Sequence, residues 1–397
     1  MAASVSTTPH SVSAEGLRLA LFTDTYAPQV NGVARTLERL VAAVEARGGA
    51  VRVFTSHDPE ASSAAHVSRF PSRAFWAYPQ LRLAWPRLRV VRSALEEYAP
   101  TLVHAATEFG VGLAGRRASR DLGIPFVSSY HTSFVAYAEH YGLGALARPG
   151  WHFMRWFHNG GLRTYCPTQA IVDEVNARGF ERTAVWSRGV DGARFSPSYR
   201  SEELRARLGV ADDTLVLSYV GRLAAEKGLN VALDALALVE QARPGRVRFL
   251  VVGDGPYEQE VRARAPRGTL LTGKLQGTAL SEAFASGDVF LFPSTTDTFG
   301  NVMLEAMASG LPVIGADVGP TREQLHTGGG WLAAPGDAAA FAAAIIALID
   351  DRSRVREAAT RALAIAATKT WDAVWDTLVG DYLRLHRPSL REAGMTA

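Results

Sequence analysis

The sequence predicts an α/β protein made of two facing, doubly wound Rossmann-like domains. A strand, a glycine-containing turn, a helix and a second strand follow one another over residues 17–54. The scheme restarts at Thr214, after Pro197 and a charged run at residues 200–207. A helix, a Gly-x-Pro triplet and a strand recur at Gly123-Ile124-Pro125 and at Gly310-Leu311-Pro312. Strands alternating with helices build parallel sheets covered on both faces. The ligand is expected in the cleft between the two domains, beyond the carboxyl ends of strands.

The elements follow in order. Residues 17–22 read as a strand ending at Thr23-Asp24. The loop Pro28-Gln29-Val30-Asn31-Gly32-Val33 precedes an amphipathic helix through Leu37, Leu40, Val41 and Val44, stopped at Gly48-Gly49. Gly32 lets a phosphate approach the backbone, although a plain turn needs glycine just as well. Strands are expected at 51–54, 102–104 and 126–128, with Tyr130-His131-Thr132 just past the last. In the second half, strands are expected at 214–220 and 248–252, with a helix at 230–239 between them. Gly253-Asp254-Gly255 then reads as a turn, since Glu258 replaces the third glycine of a dinucleotide fingerprint. The apolar run 338–349 reads as a buried helix, too short to span a bilayer. Trp371, Val374, Trp375, Leu378, Tyr382 and Leu385 mark the stripe of a last amphipathic helix.

Composition narrows the class. The 397 residues are 47% apolar and 20% charged, as in ordinary globular proteins. Cys166 is the single cysteine, which excludes an intramolecular disulfide and fits a reducing compartment. Residues 1–16 lack the apolar core of a signal peptide and read as a disordered tail. A net charge of +3 suits acidic ligands, but no nucleic-acid motif accompanies it.

The stretch 297–314, D-T-F-G-N-V-M-L-E-A-M-A-S-G-L-P-V-I, concentrates the candidate chemistry. It follows the apolar strand 289–292 and starts a helix near Gly300. Free N–H groups at Gly300, Asn301 and Val302 offer an anion site. Asp297 and Glu305 flank it, and a carboxylate suits ligand hydroxyls, to which it only accepts hydrogen bonds. Phosphate and hydroxyls together describe a nucleotide sugar. A capping Asp297 and a solvated Glu305 explain the same residues equally well. Arg222 and Lys227, in G-R-L-A-A-E-K-G after a strand, would stabilise a leaving diphosphate without metal. The sequence has no Asp-x-Asp, H-E-x-x-H or C-x-x-C, so neither a metal nor another cofactor is expected.

Asp297 and Glu305 at this spacing resemble the E-x7-E signature of family 4 retaining glycosyltransferases, with Asp in place of the usual first Glu. The resemblance covers residues 17–385 and implies the GT-B fold. It implies that Glu305 binds the ribose hydroxyls, that Asp297 holds the sugar's hydroxyls, and that Arg222 and Lys227 hold the diphosphate. His131 matches a family position beside the donor sugar. Retention is explained there by same-face attack, with the leaving phosphate taking the acceptor's proton. Thr23-Asp24-Thr25-Tyr26, Tyr130-His131-Thr132, Cys166-Pro167-Thr168 and Arg188-Gly189-Val190-Asp191 resemble a bacterial subgroup of GDP-mannose-dependent α-mannosyltransferases and glycolipid synthases. The expected reaction moves mannose from GDP-mannose to a lipid or sugar hydroxyl. A UDP-glucose-type donor is the alternative, and a non-catalytic nucleotide-sugar binder is a further one. The implied division is a tail at 1–16, an acceptor-side domain at 17–195, a donor-binding domain at 196–370, and a helix and tail at 371–397 that cross back to the first domain.

Residues 61–95 contain no acid and six arginines, Arg69, Arg73, Arg82, Arg87, Arg89 and Arg92. Phe70, Phe75, Trp76, Tyr78 and Trp85 lie among them. Such a segment would dock on an anionic bilayer, giving a cytoplasmic enzyme peripheral on the inner face of the membrane. Packed rings and solvated arginines are the rival reading.

Overall fold

A computed structural model describes residues 12–29, 31–75, 78–131 and 147–386. Most of the expected tail at 1–16 lies outside the described residues, as do Val30, Trp76, Thr132 and residues 387–397.

The chain folds as two compact units. The first takes the described residues up to 167, then 172–187, then those from 372 on. The second takes 168–171 and 188–371. The division therefore falls between Ser187 and Arg188, not at 195. The reason is backbone pairing: Val190 bridges to Thr370, and its N–H donates to the Lys369 carbonyl at 2.9 Å.

The first unit begins with β1 (Arg18–Thr23), α1 (Gly32–Ala46) and β2 (Ala50–Ser56). Asn31 caps α1, its side chain accepting from the Ala34 N–H at 2.9 Å. Gly32 is thus the first helical residue rather than a loop residue. Leu37, Leu40, Val41 and Val44 face the core, as their spacing requires. Then follow β3 (Val67–Phe70), β4 (Ser72–Phe75), β5 (Tyr78–Ala84), α2 (Leu88–Tyr98), β6 (Leu102–Ala105), α3 (Gly110–Asp121) and β7 (Phe126–Ser129). After residue 146 come α4 (Ala147–Asn159), β8 (Arg163–Cys166), α5 (Gln169–Ala177) and β9 (Thr183–Val185). Seven strands form a parallel sheet in the order β3-β2-β1-β6-β7-β8-β9. The direction of winding reverses between β1 and β6. Five of the six β1 residues are buried, because helices cover both faces.

The arginine-rich segment divides. Phe70 is buried and stacks on Phe54, 6.4 Å between ring centres. Arg69 donates to the Ala27 carbonyl at 2.6 Å, and Arg82 to the His57 carbonyl at 2.9 Å. These three residues hold the fold, as packed rings and backbone-bonded arginines. Arg87 and Arg89 are exposed around α2, with Trp85 71% and Val90 53% exposed. Arg92 reaches Asp121 at 3.5 Å.

The second unit contains α6 (Glu202–Arg207), β10 (Leu215–Val220), α7 (Leu229–Ala242), β11 (Val247–Val252), α8 (Glu258–Arg264), β12 (Thr269–Leu271) and α9 (Gly277–Ala285). It continues with β13 (Val289–Phe292), α10 (Asn301–Ala308), β14 (Val313–Ala316), α11 (Gly319–Leu325), β15 (Gly330–Ala333), α12 (Ala338–Asp350) and α13 (Arg352–Ala367). Its sheet is parallel, in the order β12-β11-β10-β13-β14-β15. Here the winding reverses between β10 and β13. The run 338–349 packs one face of α12, with Phe341, Ala342, Ile345, Leu348 and Ile349 buried.

The last helix, α14 (Trp371–Leu385), groups with the first unit from Asp372 on. Its Tyr382 hydroxyl lies 2.6 Å from His104 Nδ1, and Asp381 accepts from the Tyr165 hydroxyl at 2.8 Å. Arg47 of the first unit grips Asp376 at 3.1 Å and Asp372 at 3.3 Å.

Candidate active site

Parallel sheets present their ligand sites where the winding reverses, beyond the carboxyl ends of the two central strands. In the second unit those strands are β10 and β13. Arg222 and Lys227 follow β10, and Asp297, Gly300 and Glu305 follow β13. The structure brings the two loops together: Lys227 Nζ lies 2.8 Å from Asp297 Oδ1 and 2.9 Å from Oδ2, and the Thr296 hydroxyl donates to the Glu226 carbonyl at 3.3 Å.

The Arg222 loop is held from below by glycines. The N–H of Leu223 donates to the Asp254 carbonyl at 2.8 Å, and that of Tyr257 to the Leu223 carbonyl at 2.9 Å. A Cβ on Gly253 would overlap the Gly221 carbonyl, and one on Gly255 the Leu223 carbonyl. Gly253-Asp254-Gly255 therefore serves as a seat for residues 221–223. Buried Tyr219 donates its hydroxyl to the Arg222 carbonyl at 2.9 Å. Burial raises the Tyr219 phenol well above its ordinary range, with Asp297 adding to the shift.

Sequence reasoning missed Glu226. It is 4% exposed and forms an ion pair with Arg222. Its i,i+4 spacing from Arg222 was the available signal. Burial by itself would raise the Asp297 pKa, but the charge and hydrogen bonds of Lys227, with Ser294 and Arg222, lower it below 3.8. Asp297 is therefore an anion at neutral pH.

Gly300 occupies the cap position of α10 at φ 78°, and no side chain caps the helix there. A Cβ on Gly300 would crowd Phe292 and Met303 at 2.8 Å. The capping alternative for Asp297 is thus replaced: its carboxylate lies on Lys227, and the first turn of α10 carries no acid. Asn301 and Val302 begin the helix, and Glu305 lies one turn on, partly buried.

In the first unit the reversal strands are β1 and β6. Asp24 follows β1, and its N–H donates to Thr107 Oγ1 at 2.8 Å. Thr107 Oγ1 in turn donates to Asp24 Oδ2 at 2.7 Å, and the Val111 N–H donates to Oδ1 at 3.1 Å. Asp24 thereby serves the start of α3, a role not foreseen from sequence. Burial, opposed by these hydrogen bonds, raises its pKa from 3.8 to about 6. His131 follows β7, is 8% exposed and packs on Trp186, 5.1 Å between ring centres. Gly32 is exposed at the start of α1. Among the described residues, no group of three or more His, Cys, Asp or Glu is arranged to hold a metal.

Two family profiles match the chain, one described as Glycosyltransferase Family 4 over residues 30–194, the other as Glycosyl transferases group 1 over 214–351. A GDP-mannose-dependent alpha-mannosyltransferase of Mycobacterium tuberculosis is 34% identical over 92% of this chain and 96% of its own. The chain belongs to glycosyltransferase family 4. A second such relative, from Mycolicibacterium smegmatis, is 35% identical to this family 4 glycosyltransferase over 95% of the chain and 100% of its own. The alpha-monoglucosyldiacylglycerol synthase of Streptococcus pneumoniae is 31% identical over 75% of this chain and 70% of its own. Among solved structures, sucrose-phosphate synthase from Thermosynechococcus elongatus matches the glycosyltransferase with a TM-score of 0.76 at 19% identity, over 94% of this chain and 100% of that one. Anabaena HepE in complex with UDP and glucose matches at 0.72 and 23% identity, over 93% and 99%. These likenesses establish the GT-B fold. This glycosyltransferase has, among its described residues, no helix long and apolar enough to cross a membrane.

Proposed function

We propose that the chain is a retaining α-glycosyltransferase that moves mannose from GDP-mannose to a hydroxyl of a lipid or sugar acceptor, without a metal. The observation that carries this reading is the Lys227–Asp297 pair across the reversal of the second sheet, with Arg222 beside it. Cations sit there where a diphosphate can reach them, next to a carboxylate kept ionised for sugar hydroxyls. Arg222, Lys227 and the α10 N–H groups at Gly300, Asn301 and Val302 would hold the diphosphate, with Gly32 offering a further backbone approach. Glu305 would accept from the ribose hydroxyls. His131 would touch the donor sugar near its anomeric carbon.

In the step itself, the bond between the anomeric carbon and the diphosphate oxygen breaks. The acceptor oxygen bonds to that carbon on the same face. The acceptor proton passes to the departing phosphate oxygen. Negative charge grows on the diphosphate as the bond lengthens, and preorganised cations stabilise it most at that moment.

The mannosyltransferase relatives support GDP-mannose. The glucosyldiacylglycerol synthase relative supports UDP-glucose as the alternative donor and a lipid as the acceptor class. Thermal shift with GDP, GDP-mannose, UDP and UDP-glucose, followed by product analysis with diacylglycerol and sugar acceptors, separates the readings. Stabilisation by GDP-mannose with a mannosylated, anomerically retained product is expected. Stabilisation by UDP-glucose alone would replace the donor. Binding with no turnover of donor on any acceptor would leave a nucleotide-sugar binder.

The acceptor side of the proposal uses α2. Trp85, Arg87, Arg89 and Val90 form an exposed apolar and basic patch suited to an anionic bilayer. The inner face of the cytoplasmic membrane is the proposed place of action. Sedimentation with phosphatidylglycerol liposomes at low salt should carry the protein down, and Trp85→Ser with Arg87→Ser and Arg89→Ser should release it. Full recovery in the supernatant at low salt would end this part of the reading.

A further inference from the structure

We propose that Trp186 is a positioning residue for His131, fixing the plane in which the imidazole meets the donor sugar. The inference rests on the reading that His131 touches the donor.

The torsion that turns an imidazole about its Cβ–Cγ bond is broad, so rotamer preference alone does not choose the ring plane. Packing has to choose it. His131 lies two residues beyond β7, and its ring stands at 62° to the Trp186 indole, with 5.1 Å between centres. This is the edge-to-face arrangement that aromatic pairs favour.

The indole is itself seated so that it has little freedom to follow His131. Trp186 comes directly after β9, is 2% exposed, and its backbone N–H donates to the Cys166 carbonyl at 2.7 Å. Three more rings surround it: His104 at 5.7 Å, Trp375 at 6.3 Å and Tyr165 at 6.4 Å. Two of these are tied in turn. His104 has Nδ1 2.6 Å from the Tyr382 hydroxyl and Nε2 2.5 Å from Ser129 Oγ. Tyr165 donates its hydroxyl to Asp381. Strand β6, strand β8 and helix α14 thus converge on one indole, and that indole faces His131. Burial lowers the His104 pKa to about 3, so this ring meets Trp186 as a neutral imidazole.

A tryptophan that only filled the core would lower stability and the folded fraction, leaving the catalytic dependence on His131 unchanged. A positioning tryptophan acts through His131. The test measures kcat and KM for nucleotide release from GDP-mannose or UDP-glucose, whichever stabilises the protein. Rates are normalised to nucleotide-binding sites counted by calorimetry. His131→Ala, Trp186→Phe, Trp186→Leu, Trp186→Ala and the double variant His131→Ala/Trp186→Ala are compared. Trp186→Leu and Trp186→Ala should lower kcat by about tenfold or more with KM changed less than about twofold. Trp186→Phe should recover most of the rate. The double variant should be no slower than His131→Ala, within about twofold, because both changes remove one function. Losses that multiply in the double variant, or wild-type kcat in Trp186→Leu, would overturn the inference. Wild-type kcat in His131→Ala would overturn the reading of His131 instead. Should Trp186→Ala fail to fold, the Phe and Leu variants decide.

Discussion

Lys227 Nζ stands between the two oxygens of Asp297, at 2.8 and 2.9 Å, so the two charges neutralise each other. On the proposed reading, a nucleotide diphosphate entering this site would compete with Asp297 for Lys227. Lys227→Ala should weaken GDP by about 1.5–3 kcal/mol, the worth of a charge-assisted hydrogen bond. Asp297→Asn should bind GDP at least as tightly as the wild type yet lose the turnover of GDP-mannose. Calorimetry with GDP and steady-state rates check both. A strong loss of GDP affinity in Asp297→Asn would mean that the carboxylate builds the phosphate site and does not compete for it.

Gly253 holds the Arg222 loop by letting two backbones approach closely, at φ 138°. Gly253→Ala should therefore raise the donor KM as well as lower stability by about 1–3 kcal/mol. Gly245→Ala is the control, since φ is 70° there and a Cβ meets nothing within 4 Å. It should lower stability by about 1 kcal/mol and leave KM unchanged. Equal KM values in both variants would detach the glycine seat from the donor site.

Asp24 has a folded pKa of about 6 against 3.8 ordinarily, raised chiefly by burial. Between those values the folded chain binds more protons than the unfolded chain. Its contribution to stability is therefore fully present below about pH 4 and declines as pH rises through about 6. Asp24→Asn should remove this decline. The difference in unfolding free energy between variant and wild type, from urea curves at pH 4.5 and 7, should shift in favour of the variant at the higher pH. A difference that does not move with pH would show that Asp24 does not titrate in this window.

In the proposed reaction, charge at the leaving diphosphate would be supplied by Arg222, Lys227 and the α10 amides, with no metal. Turnover should survive excess EDTA. Loss of activity with EDTA and recovery with magnesium or manganese would require a metal in the mechanism.

Much of the fold was legible because buried parallel strands are continuous apolar runs. Residues 289–292 and 214–220 announced β13 and β10, and Leu37, Leu40, Val41 and Val44 announced α1. Arg222, Lys227, Asp297 and Gly300 could be singled out because strand ends and glycine breaks mark where loops begin, and these residues do follow β10 and β13. Three things were hidden. The pairing of Lys227 with Asp297 joins residues 70 positions apart and depends on loop geometry that local pattern does not carry. Asp24 looked like the end of a strand, since its partners Thr107 and Val111 lie over 80 residues away. The arginine-rich segment read as one stretch, although Arg69 and Arg82 spend their guanidinium groups on backbone carbonyls while Arg73, Arg87 and Arg89 are exposed.

The tie between His104 and Tyr382 spans 278 positions of sequence. A ribosome makes the chain from the amino end, so the first sheet emerges long before the helix that completes it. Until α14 arrives, the ring of Trp186 lacks Trp375, and Tyr165 lacks its carboxylate partner. The first unit is thus unable to reach its final packing until α14 has been made, however early its strands pair. A chain cut before Trp371 loses part of its oldest core, and the nascent first unit waits on α14 to complete its packing.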